Sequence, residues 1–78
     1  MKNQELKTII TFETTQQAME VEDLVKENNI KARLIPVPSN ISAGCGLALC
    51  SSISEQEKIE LLIKKNEISG IKIYNIFY

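Results

Sequence analysis

Apolar and polar positions along this chain switch between two periods, and the switches divide it into six segments. Lys7-Thr8-Ile9-Ile10-Thr11-Phe12 is dense in β-branched and aromatic residues and predicts a first strand. Thr14-Thr15-Gln16-Gln17 then fits a capping box, with Thr14 as N-cap and Gln17 reaching back to it. Ala18, Val21, Leu24 and Val25 follow at helical spacing, interleaved with Glu20, Glu22, Asp23 and Lys26. Asn28-Asn29 predicts the helix stop, because asparagine tolerates the left-handed conformation. Ile30 to Ile35 predicts a second strand closed by Pro36, and Leu47-Ala48-Leu49-Cys50-Ser51 a short third one.

Ser54-Glu55-Gln56-Glu57 repeats the capping-box pattern and predicts a second helix with an apolar stripe of Ile59, Leu62 and Ile63. Lys64 and Lys65 fall near its C-terminus, where the macrodipole favours cations. Glu67-Ile68-Ser69-Gly70 reads as a turn and Ile71 to Tyr78 as the last strand. On that strand Ile71, Ile73, Asn75 and Phe77 share one face, and Lys72, Tyr74, Ile76 and Tyr78 the other. The order β-α-β-β-α-β is the ferredoxin-like pattern, an α+β fold with two helices on one face of a four-stranded antiparallel sheet. No element is left to cover the other face, so an apolar homodimer through that face or an edge strand is expected.

With 78 residues the chain has room for one domain, taken as 1–78, and a core too small for high stability. At 44 % hydrophobic and 24 % charged it is too apolar for a disordered chain. A net charge of −1 and only two Tyr and two Phe argue against a nucleic-acid role. Histidine is absent, which makes a hydrolase triad or a conventional zinc enzyme improbable. No cofactor or metal is expected, and the spacing of the two cysteines matches neither C-x-x-C redox motifs nor zinc knuckles. Met1-Lys2-Asn3-Gln4-Glu5-Leu6 has no signal-peptide h-region and no apolar run reaches membrane-spanning length, so the cytoplasm is the expected compartment.

Chemistry concentrates in Pro36-Val37-Pro38-Ser39-Asn40-Ile41-Ser42-Ala43-Gly44-Cys45-Gly46, where one cysteine lies between two glycines. Gly44 and Gly46 permit positive φ and leave the backbone uncovered, while Pro36 and Pro38 stiffen the approach. Two readings are balanced at this point: rigid support for an exposed sulfur, or a tight turn whose cysteine fills a small apolar gap. In the first, consecutive N–H groups of the glycine turn form a nest that favours the Cys45 thiolate, and Arg33 just before the loop adds positive charge. Cys50 falls on the face of Ala48 and reads as a small buried hydrophobe. With an intervening strand the two cysteines stand about 16 Å apart, beyond disulfide reach. Glu20 and Glu22 read as solvated helix residues, and Tyr74 and Tyr78 as packing or edge residues.

Three features in order carry a family resemblance: Phe12 with Thr15, Ala18 and Glu22; Arg33-Leu34-Ile35-Pro36-Val37-Pro38; and Ser42-Ala43-Gly44-Cys45-Gly46-Leu47. The chain resembles the "putative Se/S carrier protein-like" family of small bacterial domains. The resemblance marks Pro36, Pro38, Cys45 and Gly46 as motif residues and assigns nothing to Cys50. It implies a carrier rather than a turnover enzyme, relaying sulfur or selenium as a persulfide or perselenide on Cys45 between donor and acceptor proteins. A C-P-x-P motif at the first helix, which TusA-type sulfur carriers have, is missing here. The alternative is a non-catalytic ferredoxin-like regulatory or partner-binding module that dimerises through its sheet.

Overall fold

The computed structural model describes residues 5–41, 44 and 46–78. Four strands and two helices follow in the expected order: β1 (Leu6–Thr11), α1 (Thr15–Glu27), β2 (Ala32–Pro36), β3 (Leu47–Ser52), α2 (Gln56–Lys65) and β4 (Lys72–Phe77), with a short 3-10 turn, Ile53–Glu55, leading into α2. The sheet is antiparallel throughout, in the order β2-β3-β1-β4. This is the ferredoxin-like α+β arrangement. It leaves β2 and β4 as the edges.

Register sorts the strands into two faces. Ile10 lies opposite both Leu49 and Ile73, and Leu34 lies opposite Leu49. These residues meet Ala18, Val21 and Val25 of α1 and Ile59 and Ile63 of α2 in the main core, with Phe12 closing it at one end. On the same face Thr8 is fully buried. Its hydroxyl donates to Gln56 Oε1 at 2.9 Å, and Asn75 Nδ2 donates to the same oxygen at 2.7 Å. Three polar side chains from two strands and a helix thereby satisfy one another and fix α2 against the sheet.

Both helices stop by the same device. In α1 Asn29 takes φ 58°, its N–H donates to Lys26 O, and Ile30 N donates to Val25 O at 2.9 Å. In α2 Glu67 takes φ 55°, with Glu67 N to Lys64 O and Ile68 N to Ile63 O, each 3.1 Å. These are Schellman motifs, and the residue after each left-handed position, Ile30 or Ile68, returns to the core. That explains why β2 starts later than its β-branched composition predicts: Ile30 closes the helix before the chain reaches strand pairing at Ala32.

The N-termini differ. Thr14 caps α1 as expected, accepting from Gln17 N at 3.1 Å while Gln17 Oε1 accepts from Thr14 N at 3.3 Å. The second capping box does not form. The cap position of α2 is Glu55, without a side-chain bond, and Ser54 Oγ instead pairs with Ser52 Oγ at 2.9 Å. The intervening 3-10 turn displaces Ser54 from the place where its hydroxyl would meet a free helix N–H.

The second face of the sheet also departs from expectation, because it is not bare. Ile9, Ile35, Ala48 and Cys50 form a second buried cluster, extended across the sheet by Tyr74 and Ile76 of β4, with Val37 and Ile41 of the proline-rich connection packed against it. The connection folds back over the face that the helices leave open. Large apolar side chains are exposed elsewhere, including the cross-strand neighbours Leu6 and Phe77, 43 % and 66 % exposed, at one end of the sheet.

Candidate functional site

The neck of the β2–β3 connection is set by edge-strand chemistry. Pro36 ends β2 opposite Leu47, on an edge strand where a residue without an N–H is tolerated. Val37 N then donates to Gly46 O at 3.1 Å and pins the two ends of the connection together. Past Pro38 the chain turns, with Ile41 N donating to Pro38 O at 3.0 Å. Val37 and Ile41 are the anchors, since their burial on the second cluster holds the connection to the sheet. Pro36 is exposed and Pro38 half-buried, so both prolines act through backbone restriction more than through packing.

Cys45, the residue on which the sulfur reading turns, lies outside the described residues, as do Ser42 and Ala43. Its two neighbours are described, and each needs glycine for a different reason. Gly46 has φ +77° and open space around the position of a Cβ, so its requirement is conformational, as the sequence predicts. Gly44 needs close approach: a Cβ there would stand 3.2 Å from the carbonyl oxygen of Glu13. Both glycines are exposed.

That contact brings a second connection to the site, and a third joins it. Gln17, besides closing the capping box, donates from Nε2 to Ser69 O at 2.8 Å. Glu13 N donates to Gln17 Oε1 at 3.0 Å. The Glu13 side chain lies where a Cβ on Gly70 would be, 2.5 Å from its Oε1, and Gly70 has φ +77°. The β1–α1, β2–β3 and α2–β4 connections thus converge at one end of the sheet. Between them opens a cleft of about 360 Å³, lined by Thr11, Phe12, Glu13, Gly44, Gly70, Ile71 and Lys72. The sequence identifies the glycine turn but not this neighbourhood, since Glu13 and Gly70 lie far from it along the chain.

Cys50 sits where its alternation with Ala48 predicts. It is 7 % exposed, a free thiol buried within the second cluster beside Ile9, Ile35 and Ala48. Arg33 is paired with Cys50 across β2–β3. It is three residues back from Pro36, or about 10 Å along the strand, so its partners lie towards the other end of the sheet. There it lines an open groove of about 570 Å³ together with Lys7, Lys31, Cys50, Ser52 and Tyr78. Tyr74 packs on the second cluster, and Glu22 pairs with Lys26 at 3.6 Å on the surface of α1. No group of acidic or cysteine side chains suited to a metal ion occurs among the described residues. No helix among them is long and apolar enough to cross a membrane.

Comparison with known proteins agrees with the motifs. An uncharacterized protein of Methanocaldococcus jannaschii is 29 % identical over 75 residues, which is 96 % of this chain and 38 % of that protein. The chain therefore spans well under half the length of this relative. No solved structure matches it significantly. The family described as "Putative Se/S carrier protein-like" matches residues 7–75, which takes in most of β1 and β4, both helices, and the proline-rich connection with its Gly-Cys-Gly turn. With that coverage, the chain belongs to the Se/S carrier protein-like family.

Proposed function

We propose that this chain carries sulfur or selenium between proteins as a persulfide or perselenide on Cys45. The observation that supports this most is the contrast between the two cysteines' surroundings. Cys50 is buried in the second cluster, at 7 % exposure in the wall of a groove, whereas both neighbours of Cys45 are exposed glycines, one with open space around it. Family membership supports the same class of cargo.

The transfer balances without an added oxidant. The Cys45 thiolate attacks the terminal sulfur of a donor persulfide, R–S–SH. The donor's S–S bond breaks, R–S⁻ leaves, and Cys45–S–SH forms. An acceptor thiolate repeats the exchange and returns Cys45 to its thiolate, and a perselenide follows the same steps. No histidine is required, because the attacking and leaving groups are both thiolates. Partners are then donor and acceptor proteins, and the shared cleft of Glu13, Gly44, Gly70 and Lys72 is where their reacting segments would meet this chain.

The test is intact-protein mass after incubation with a cysteine desulfurase and cysteine. One added sulfur atom is expected in the wild type and in Cys50→Ser, and none in Cys45→Ser. Equal loading of Cys45→Ser would overturn the proposal.

A second reading, a partner-binding module that self-associates, is favoured by Leu6 and Phe77, exposed cross-strand neighbours beside the edge strand β4. Light scattering on a dilution series decides it. A concentration-dependent dimer that persists in high salt and is lost in Phe77→Ser supports this reading, and a monomeric mass throughout rejects it.

A further inference from the structure

We propose that the groove at the Arg33 end of the second sheet face is a binding site for a small molecule bearing a polyphosphate group. The proposal does not depend on the carrier reading. Cations and anions nearly balance over the chain, nine against ten, yet three cations line this one groove: Lys7 from β1, Lys31 from the segment before β2, and Arg33 from β2 itself. Lys31 and Arg33 are two residues apart, and the antiparallel register brings Lys7 beside them. Lys7 pairs with Ser52, Arg33 pairs with Cys50, and both partners lie on β3 within the groove wall.

Their charge is largely uncompensated. Among the described residues the ion pairs are Lys7 with Glu5, Lys26 with Glu22 and Lys58 with Glu55. Lys31 and Arg33 therefore have no carboxylate within ion-pairing distance there, and the Glu5 that shares Lys7 is itself mostly exposed. Three positive groups around one opening match an anion of several charges better than a single carboxylate. Arginine adds a planar fork of donors that suits phosphate oxygens, and lysines add point charges. The rest of the lining is less polar. Ser51, Ser52 and Tyr78 complete it, and the tyrosine brings an aromatic residue to the lining beside which an organic portion can lie. At about 570 Å³ the groove has the size of small-molecule sites in general. Two of its cations, Lys31 and Arg33, are exposed and can be changed without disturbing the core.

Inorganic pyrophosphate titrated into the isotopically labelled full chain, at constant ionic strength, tests this by backbone amide chemical shifts. Saturable shifts confined to Lys7, Lys31 to Arg33, Cys50 to Ser52 and Tyr78 are expected. Arg33→Gln should weaken binding about tenfold or more, while Lys64→Gln at the end of α2 should leave it unchanged. Three results overturn the proposal: no saturation up to about 10 mM, shifts spread over all lysines, or equal affinity in Arg33→Gln. Citrate binding as tightly as pyrophosphate would also overturn it, by showing that charge alone is read and not phosphate. Matching amide spectra of the free variants confirm that each is folded.

Discussion

Replacing Gly46 with L-alanine isolates the backbone requirement of the proposed carrier loop from every other effect. The residue sits at φ +77° with nothing within 4 Å of a Cβ, so the added methyl meets no neighbour. What changes is conformational energy. A left-handed backbone costs an L-residue about 1–2 kcal/mol. Alanine also removes disorder from the unfolded chain, which offsets about 0.4–1 kcal/mol of that cost. Taking the middle of each range, the net expectation is a loss of about 0.8 kcal/mol. For a domain of this size each kcal/mol moves Tm by about 4–8 °C, so Tm should fall by roughly 3–6 °C. The control is chirality. D-alanine, introduced by chemical synthesis, prefers the observed φ and keeps the unfolded-state benefit, so it should leave stability unchanged or raise it slightly. Asparagine should fall between the two alanines. Thermal and urea unfolding followed by circular dichroism measure all three, with the alkylation rate of Cys45 as a second readout. If L- and D-alanine are equally destabilising, the conformational argument fails and the requirement is steric. If L-alanine costs nothing, Gly46 has no special role in the turn.

Three further expectations rest on separate parts of the structure. Competitive alkylation at neutral pH followed by peptide mapping should label Cys45 well before Cys50, with Cys50 catching up only in denaturant; equal native labelling would contradict the buried position of Cys50. Thr14→Ala should cost about 0.5–2 kcal/mol by removing a working cap, whereas Ser54→Ala should stay within about 0.5 kcal/mol, and a reversal in urea titrations would mean that the caps are misassigned. Glu67→Gly should stabilise by about 0.5–1 kcal/mol, because a left-handed position now held by a residue with a Cβ is relieved; a loss of stability would show that the Glu67 side chain makes contributions that outweigh its strain.

Much of this fold is legible from one sequence because its signals are local and agree with one another. The Thr14–Gln17 box, the Asn28-Asn29 stop and the alternation of the last strand each specify their own element, and together they specify the topology. Failures arise where a local pattern competes with a neighbour. Ser54 has a capping sequence but spends its hydroxyl on Ser52, because a 3-10 turn precedes the helix. Ile30 has a strand residue's shape but serves the end of α1. The cover of the second sheet face is missed for a different reason. Val37 and Ile41 lie in a segment that reads as loop, and their burial depends on the connection folding back over Ile35 and Ala48.

The same distinction holds for the candidate sites. Gly44-Cys45-Gly46 is conspicuous in the sequence because its residues are contiguous. The contact of Gly44 with Glu13, and of Glu13 with Gly70, joins positions that only the tertiary fold brings together. Arg33 is visible as a charge before the loop, yet it takes its partners from Lys7 and Lys31 at the other end of the sheet. Lys31 and Arg33 are close in sequence at strand spacing, but Lys7 is distant, and antiparallel register through β3 makes the three a group.

The central claim, that the cargo atom rides on Cys45, is tested most directly by locating it in the wild-type chain. After loading from a desulfurase, persulfides are trapped by alkylation and the protein is digested and mapped by mass spectrometry. The account predicts the additional sulfur on the peptide containing Cys45, with the Cys50 thiol unmodified. Sulfur on the Cys50 peptide, or on neither, would contradict it.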